Sequence, residues 1–113
     1  MKAGKVWGQT ELITRNPALE LHRIRFVAGA QCSEHLHRGK WNGFLVLSGV
    51  MLVRVWQESG LVDETVLRAR EYTEVAPGLV HQFVGVEDGE ALEIYWAALA
   101  WDDIERRTTG SWA

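Results

Sequence analysis

The sequence has little of what secreted, membrane-spanning or nucleic-acid-binding proteins need. Its single cysteine, Cys32, excludes an internal disulfide and fits a reducing compartment. No apolar run approaches the roughly 18 residues of a membrane-spanning helix, and the N-terminus has no signal-peptide core. Twelve Lys and Arg against fifteen Asp and Glu give a net charge of −3, which argues against a basic surface for nucleic acid or acidic lipid. We therefore expect a cytoplasmic protein without nucleic-acid or membrane partners.

What is present is ordinary globular composition in a short chain. The 113 residues are 47% hydrophobic and 24% charged, which favours one domain spanning residues 1–113 with a modest core. Six tryptophans are many for this length, and they indicate lined cavities or buried interfaces as well as packing. No internal repeat or linker divides the chain.

Alternation of apolar and polar residues with a period of two runs through most of the chain and predicts β-strands. Seven segments are predicted as strands: 19–27, 44–47, 50–56, 61–67, 71–75, 80–84 and 91–98. Turn residues separate them at Ser48-Gly49, at Pro77-Gly78 and at 87–90. Only the segment 102–107 is expected to form a helical turn. The pattern is typical of an all-β sandwich or barrel.

Three of the four histidines have the spacing of metal ligands. His35 and His37 stand two residues apart, so both imidazoles lie on one face of an extended strand. His81 follows the Pro77-Gly78 turn, and a third imidazole from a distant strand completes an open three-ligand site. Imidazole suits Fe, Mn, Ni, Zn, Co and Cu. The alternative is that these histidines serve as hydrogen-bonding groups in a metal-free pocket.

These residues belong to two motifs that resemble those of the cupins. Gly29, His35-Leu36-His37, Asn42 and Gly49 follow the first cupin motif, at about residues 29–49. The run from Glu71 through Pro77-Gly78 to His81 is similar to the second motif, at about residues 71–85. The segments around the histidines are similar to small single-domain cupins of unassigned activity and, distantly, to sugar-phosphate isomerase cupins. The resemblance implies an all-β cupin jelly-roll β-barrel with a metal inside its open end.

One position departs from the cupin pattern. Where the first motif has a glutamate as fourth ligand, this chain has Asn42. The resemblance thus implies a site of His35, His37 and His81 with Asn42 or water completing it. An amide oxygen ligates without charge, so such a site keeps the full charge of a divalent ion and attracts anionic ligands.

Further candidates lie around the metal ligands. Glu93 and Tyr95 share one face of the last predicted strand, and if that face points inward they are candidates for moving protons. The alternative is an outward, solvated carboxylate. Arg38 and Lys40 are candidates for steering an anion towards the barrel mouth, and His22 is interpreted as structural.

Two functions follow as hypotheses. The first is a metal-dependent enzyme acting on a polar or anionic small molecule, with isomerase-, lyase- and dioxygenase-like chemistry all open. The second is a non-catalytic, metal-free cupin that binds a carbohydrate-like ligand. The resemblance also implies a homodimer, in which the N-terminal segment with Val6 and Trp7 adds to a neighbour's sheet.

Overall fold

The computed structural model describes residues 2–97 and 99–112, and within them the regular structure is entirely β. The strands are β1 (Lys2–Lys5), β2 (Gly8–Asn16), β3 (Leu19–Phe26), β4 (Trp41–Trp56), β5 (Val62–Leu67), β6 (Tyr72–Val75) and β7 (Val80–Trp96). In this described part of the chain no helix is long and apolar enough to cross a membrane.

The strands form one antiparallel sheet in the order β1-β2-β3-β7-β4-β5, with β6 paired to β4. The central ladder joins the two longest strands and runs from the pair Trp41–Trp96 to the pair Trp56–Val80. The hydrogen-bonded path ends at β1 and β5. Among the described strands, the sheet therefore folds over its core without closing into a complete ring.

The inward faces of β3 to β7 meet in a single core. Its members are buried apolar residues: Ile24, Phe26, Cys32, Phe44, Val46, Met51, Val53, Leu67, Val75, Phe83 and Ala91. Trp7, from the β1–β2 turn, packs its ring edge-on against Phe83 of the same chain, with centroids 4.8 Å apart. Trp7 is thus engaged within its own chain, while Val6 is exposed. The homodimer stays a prediction.

Two turns predicted from the sequence do not interrupt the sheet. Ser48-Gly49 lies inside β4, and the segment 87–90 lies inside β7. The two strands remain paired there through shifts of register, which are β-bulges that bend a strand without ending it. Gly49 has a φ of 75°, so the bulge uses the left-handed conformation that the sequence suggested for a turn.

The structure also differs from the sequence prediction at both ends. β1 and β2 were not predicted, because most of their side chains are exposed or half-buried and carry no clear alternation. At the C-terminus the segment 102–107 forms no helical turn, since the chain there is solvent-exposed and has no packing to hold a helix. Of the last predicted strand, residue 98 lies outside the described residues, and β7 ends at Trp96.

We expect Gly49→Ala to destabilise the protein by about 2 kcal/mol or more. Its φ is 75°, and an added Cβ would meet the carbonyl oxygen of Asp88 and lie 2.7 Å from Cα of Gly89. Gly4→Ala is the matched control, because a Cβ there meets nothing within 4 Å. Urea denaturation of the two variants measures the difference, and equal midpoints would contradict the role given to this bulge.

Candidate metal centre

The structure brings His35, His37 and His81 together on the inner side of the sheet. One ring nitrogen from each lies within 4.8 Å of the other two. A pair of backbone hydrogen bonds holds the site: the amide of His35 donates to the carbonyl of His81 (3.1 Å), and that of His81 donates to the carbonyl of His35 (2.8 Å). The amide of Gly78 also donates to the carbonyl of His37 (2.7 Å), so the Pro77-Gly78 turn is tied to the His-x-His segment.

Two of the imidazoles are oriented by backbone carbonyls. His35 Nδ1 lies 2.8 Å from the carbonyl oxygen of Ser33, and His81 Nδ1 lies 2.9 Å from that of Leu79. A carbonyl oxygen only accepts, so Nδ1 carries the proton and donates in each case. With the single proton on Nδ1, the lone pair of each ring resides on Nε2. This is the arrangement in which a histidine ligates metal through Nε2.

The third imidazole has a buried nitrogen without a partner. His37 Nε2 is shielded from solvent and makes no hydrogen bond in the described part of the chain. Burial, followed by the charge of His35, lowers the pKa of His37 to about 4. Burial likewise lowers the pKa of His81, against the effect of its hydrogen bond to Leu79. At neutral pH both rings are therefore uncharged and able to act as ligands.

Asn42 is buried beside His81, with 1% of its surface exposed. Its Nδ2 donates to the carbonyl of Ile94 (3.3 Å) and to Glu93 Oε2 (3.4 Å). The Ile94 carbonyl, which only accepts, favours this orientation of the amide. Asn42 Oδ1 consequently faces His81 Nε2 at 3.0 Å.

The contact between Asn42 and His81 is one that a cation would satisfy. A neutral imidazole has one N–H, and the Leu79 carbonyl already uses it at Nδ1. Nε2 and Asn42 Oδ1 then face each other as two lone-pair atoms 3.0 Å apart. A second proton on His81, which burial opposes, a rotation of the Asn42 amide, which loses its hydrogen bond to Ile94, or a metal ion held by both atoms would each remove this conflict. The residues present thus fit a bound metal ion.

The side chains of Glu93 and Tyr95 point inward. Glu93 is therefore not the outward, solvated carboxylate that the sequence left open as an alternative. Glu93 is 8% exposed and lies beside Asn42, and Tyr95 packs its ring edge-on against His37 with centroids 5.0 Å apart. Burial raises the pKa of Glu93, against hydrogen bonds from Tyr95 and Asn42. Burial and the neighbouring Glu93 raise the pKa of Tyr95. Both groups therefore hold protons more strongly than in water.

Two cavities adjoin the triad from different sides. The larger, of about 780 Å³, is lined by His35, Glu93 and Tyr95 among others. The smaller, of about 450 Å³, is lined by His37, Lys40 and again Tyr95. Both volumes suit small molecules. A ligand in either cavity has access to one side of the histidine triad.

Sequence reasoning missed two polar residues of this interior. Glu20 lines the smaller cavity, and His22 lines the larger one, where its ring contacts Thr10 (3.3 Å) and Glu20 (3.4 Å). The sequence carries the signal, because Glu20, His22, Ile24 and Phe26 stand at every second position of β3. Ile24 and Phe26 are buried in the core. All four side chains of β3 must then lie on the inner face.

Comparison with known proteins shows the fold. No protein-family model matches the sequence, and neither does any curated protein sequence. Among solved structures, KdgF from Halomonas sp. aligns with a TM-score of 0.71 at 18% identity over 84% of each chain. An RmlC-like cupin from Shewanella frigidimarina aligns with a TM-score of 0.68 at 25% identity, covering 84% of this chain and 82% of that one.

A third match is a metalloprotein. Oxalate decarboxylase from Bacillus subtilis, described with Mn(II) centres, aligns with a TM-score of 0.77 at 17% identity. The alignment covers 86% of this chain and 27% of that one. Taken with the two motifs and the all-β sheet, these matches establish that the protein has the cupin fold. Within that class it is similar to small proteins of its own length, as the KdgF and RmlC-like matches show.

The lowered pKa of His37 predicts a loss of stability in mild acid. Unfolded, this ring titrates near 6.5, whereas in the folded protein its pKa is about 4. As the pH falls from 6.5 towards 4, the unfolded chain takes up a proton that the folded chain refuses, so the free energy of unfolding decreases. His37→Gln removes this contribution and should lose less stability than wild type between pH 7 and pH 5. Thermal denaturation of chelator-treated protein checks this, and equal losses would contradict it.

Proposed function

We propose that the protein binds one divalent transition metal ion through His35, His37 and His81, with Asn42 as a fourth ligand, and acts on a polar or anionic small molecule. The contact between His81 Nε2 and Asn42 Oδ1, two acceptors 3.0 Å apart beside the other two imidazoles, carries the proposal, because a cation held there satisfies both atoms. The unpartnered His37 Nε2 supports the same site.

The donor set favours a borderline transition metal. Three imidazole nitrogens suit Fe, Mn, Ni, Zn, Co and Cu, while one amide oxygen adds no charge. When bound, the ion supplies Lewis acidity and open coordination positions for a substrate oxygen.

Glu93 and Tyr95 lie beside the triad. The Glu93 carboxyl, its pKa raised by burial, exchanges a proton with the bound molecule, and the Tyr95 hydroxyl donates to that carboxyl and orients it. A carboxyl and a hydroxyl in these roles serve isomerisation and elimination alike. They are also compatible with oxygen-dependent chemistry.

A second candidate function is a metal-free binding module for a carbohydrate-like ligand. Trp96 and Tyr95 line the smaller cavity together with polar groups, an arrangement that suits a sugar ring. In this case Asn42 would hold a doubly protonated His81. The metal content of the protein distinguishes the two functions.

We expect one Ni²⁺ or Zn²⁺ to bind per chain, measured by equilibrium dialysis followed by elemental analysis of protein without a histidine tag. His37→Ala and His81→Ala should weaken binding at least tenfold, because each removes a nitrogen from the triad. His22→Ala is the control. His22 lies outside the triad, so this variant should still bind one metal ion per chain. Substoichiometric metal in wild type, unchanged in the triad variants, would refute the site.

Asn42→Glu should strengthen metal retention and weaken the stability of the metal-free protein. The new carboxylate adds a charged ligand for the metal. The substitution also removes the amide that donates to the Ile94 carbonyl, and it places a second carboxylate beside Glu93. Asn42→Gln, with the same added methylene and no charge, is the matched control. Metal release to a chelator and melting temperatures with and without metal measure both effects. Equal metal retention in wild type and both variants would remove Asn42 from the ligand set.

A further inference from the structure

We propose that Lys40, assisted by Arg38, forms an anion subsite in the 450 Å³ cavity on the His37 side of the triad, and that this subsite binds a carboxylate of the small-molecule ligand. The proposal deepens the proposed function, because it assigns the chamber and the chemical class of the ligand. It rests on the placement of charges around that cavity.

The cavity is strongly cationic in a protein that is acidic overall. Its lining contains Arg15, Arg38 and Lys40 but one acidic residue, Glu20. The lining therefore carries a formal charge of 3 − 1 = +2, against −3 for the whole chain. Charges of one sign gathered in a concave site with low-dielectric walls concentrate ligands of the opposite sign. The chamber thus selects anions.

The single acid of the cavity is already paired. Arg15 donates to Glu20 Oε1 through both Nε (2.9 Å) and Nη2 (2.7 Å), and these contacts lower the pKa of Glu20. Lys40 Nζ stands 3.7 Å from Glu20 Oε2, which is beyond hydrogen-bond length. Arg15 therefore forms the closer pair with Glu20, whereas the ammonium of Lys40 forms a longer ion pair without a hydrogen bond and has donors to offer a ligand.

Lys40 is held next to the candidate metal centre. Its Nζ lies 4.1 Å from the centroid of the Tyr95 ring, a cation–π contact that fixes the long side chain. The same ring packs against His37 with centroids 5.0 Å apart. One aromatic ring thus separates the ammonium from the triad, and the positive charge of Lys40 reaches His37, where it contributes to lowering the pKa after burial and His35.

The position of Lys40 beside the triad indicates the class of ligand. A molecule in the cavity can present one oxygen to the triad and an anionic oxygen to Lys40, with Arg38 at the more exposed side. Small dicarboxylates and hydroxy- or sugar acids meet both demands. A phosphate offers the same anionic oxygens, so the test includes both kinds.

The test measures binding of malonate, of its monoamide and of inorganic phosphate to the wild-type protein by calorimetry, with and without Zn²⁺. Lys40→Gln should weaken malonate binding about tenfold, as expected for the loss of one charge-assisted contact. Glu20→Gln should strengthen it several-fold, because it releases Arg15 and removes the competing carboxylate. Arg68→Gln, which makes the same charge change as Lys40→Gln on an exposed loop between β5 and β6, should change nothing.

The variants separate this inference from the metal site. Malonate binding to the zinc-free protein that depends on Lys40 supports the subsite even where zinc fails to bind. Zinc binding with malonate affinity unchanged in Lys40→Gln overturns the subsite and leaves the metal site standing. Phosphate that binds more tightly than malonate, with the same dependence on Lys40, overturns the assignment to a carboxylate. A Glu20→Gln variant that weakens binding shows that Glu20 and Lys40 act structurally, and it also overturns the proposal.

Discussion

The site depends on two backbone hydrogen bonds between His35 and His81. These bonds attach the segment that precedes β4 to the start of β7, although 45 residues lie between the two histidines along the chain. Since each bond uses the backbone of a triad histidine itself, the backbones of His35 and His81 cannot move apart without breaking the bridge, and the carbonyls of Ser33 and Leu79 orient the two rings. The fold therefore holds the imidazoles in place before any ligand arrives, which is the preorganisation that a metal or catalytic site needs.

The electrostatics of the interior follow from that placement. Burial keeps His37 and His81 neutral, and backbone carbonyls hold the proton of His35 and His81 on Nδ1. The lone pairs that remain have few partners, and Asn42 adds a further acceptor. Buried acceptors without donors are costly. A cation held among these groups would relieve that cost.

Sequence patterns predicted much of this arrangement because the inner face of the sheet is specified by alternation. The His-x-His pair, the histidine after Pro77-Gly78 and the pair Glu93 and Tyr95 were all identified, and the structure brings them together. Other features depend on long-range contacts. The bulge at Gly49 has the same local residues as a turn, and only pairing with β7 shows that the strand continues.

The role of Asn42 likewise depends on long-range contacts that the local sequence does not reveal. Its position relative to the histidines suggested a ligand, but its partners lie about fifty residues away, on β7. His22 was interpreted as structural because it has no neighbour at motif spacing. Its place in the interior becomes visible once β3 is seen to bury Ile24 and Phe26 on the same face.

The most direct measurement of the central claim is the ¹⁵N resonance pattern of the four imidazoles, recorded in metal-free protein and after addition of one equivalent of Zn²⁺. We predict that His35 and His81 carry their proton on Nδ1 in the metal-free protein at neutral pH. Zinc should then shift the Nε2 resonances of His35, His37 and His81 and leave those of His22 unchanged. Triad resonances that do not respond to zinc, or a His81 that stays doubly protonated in its presence, would contradict the account.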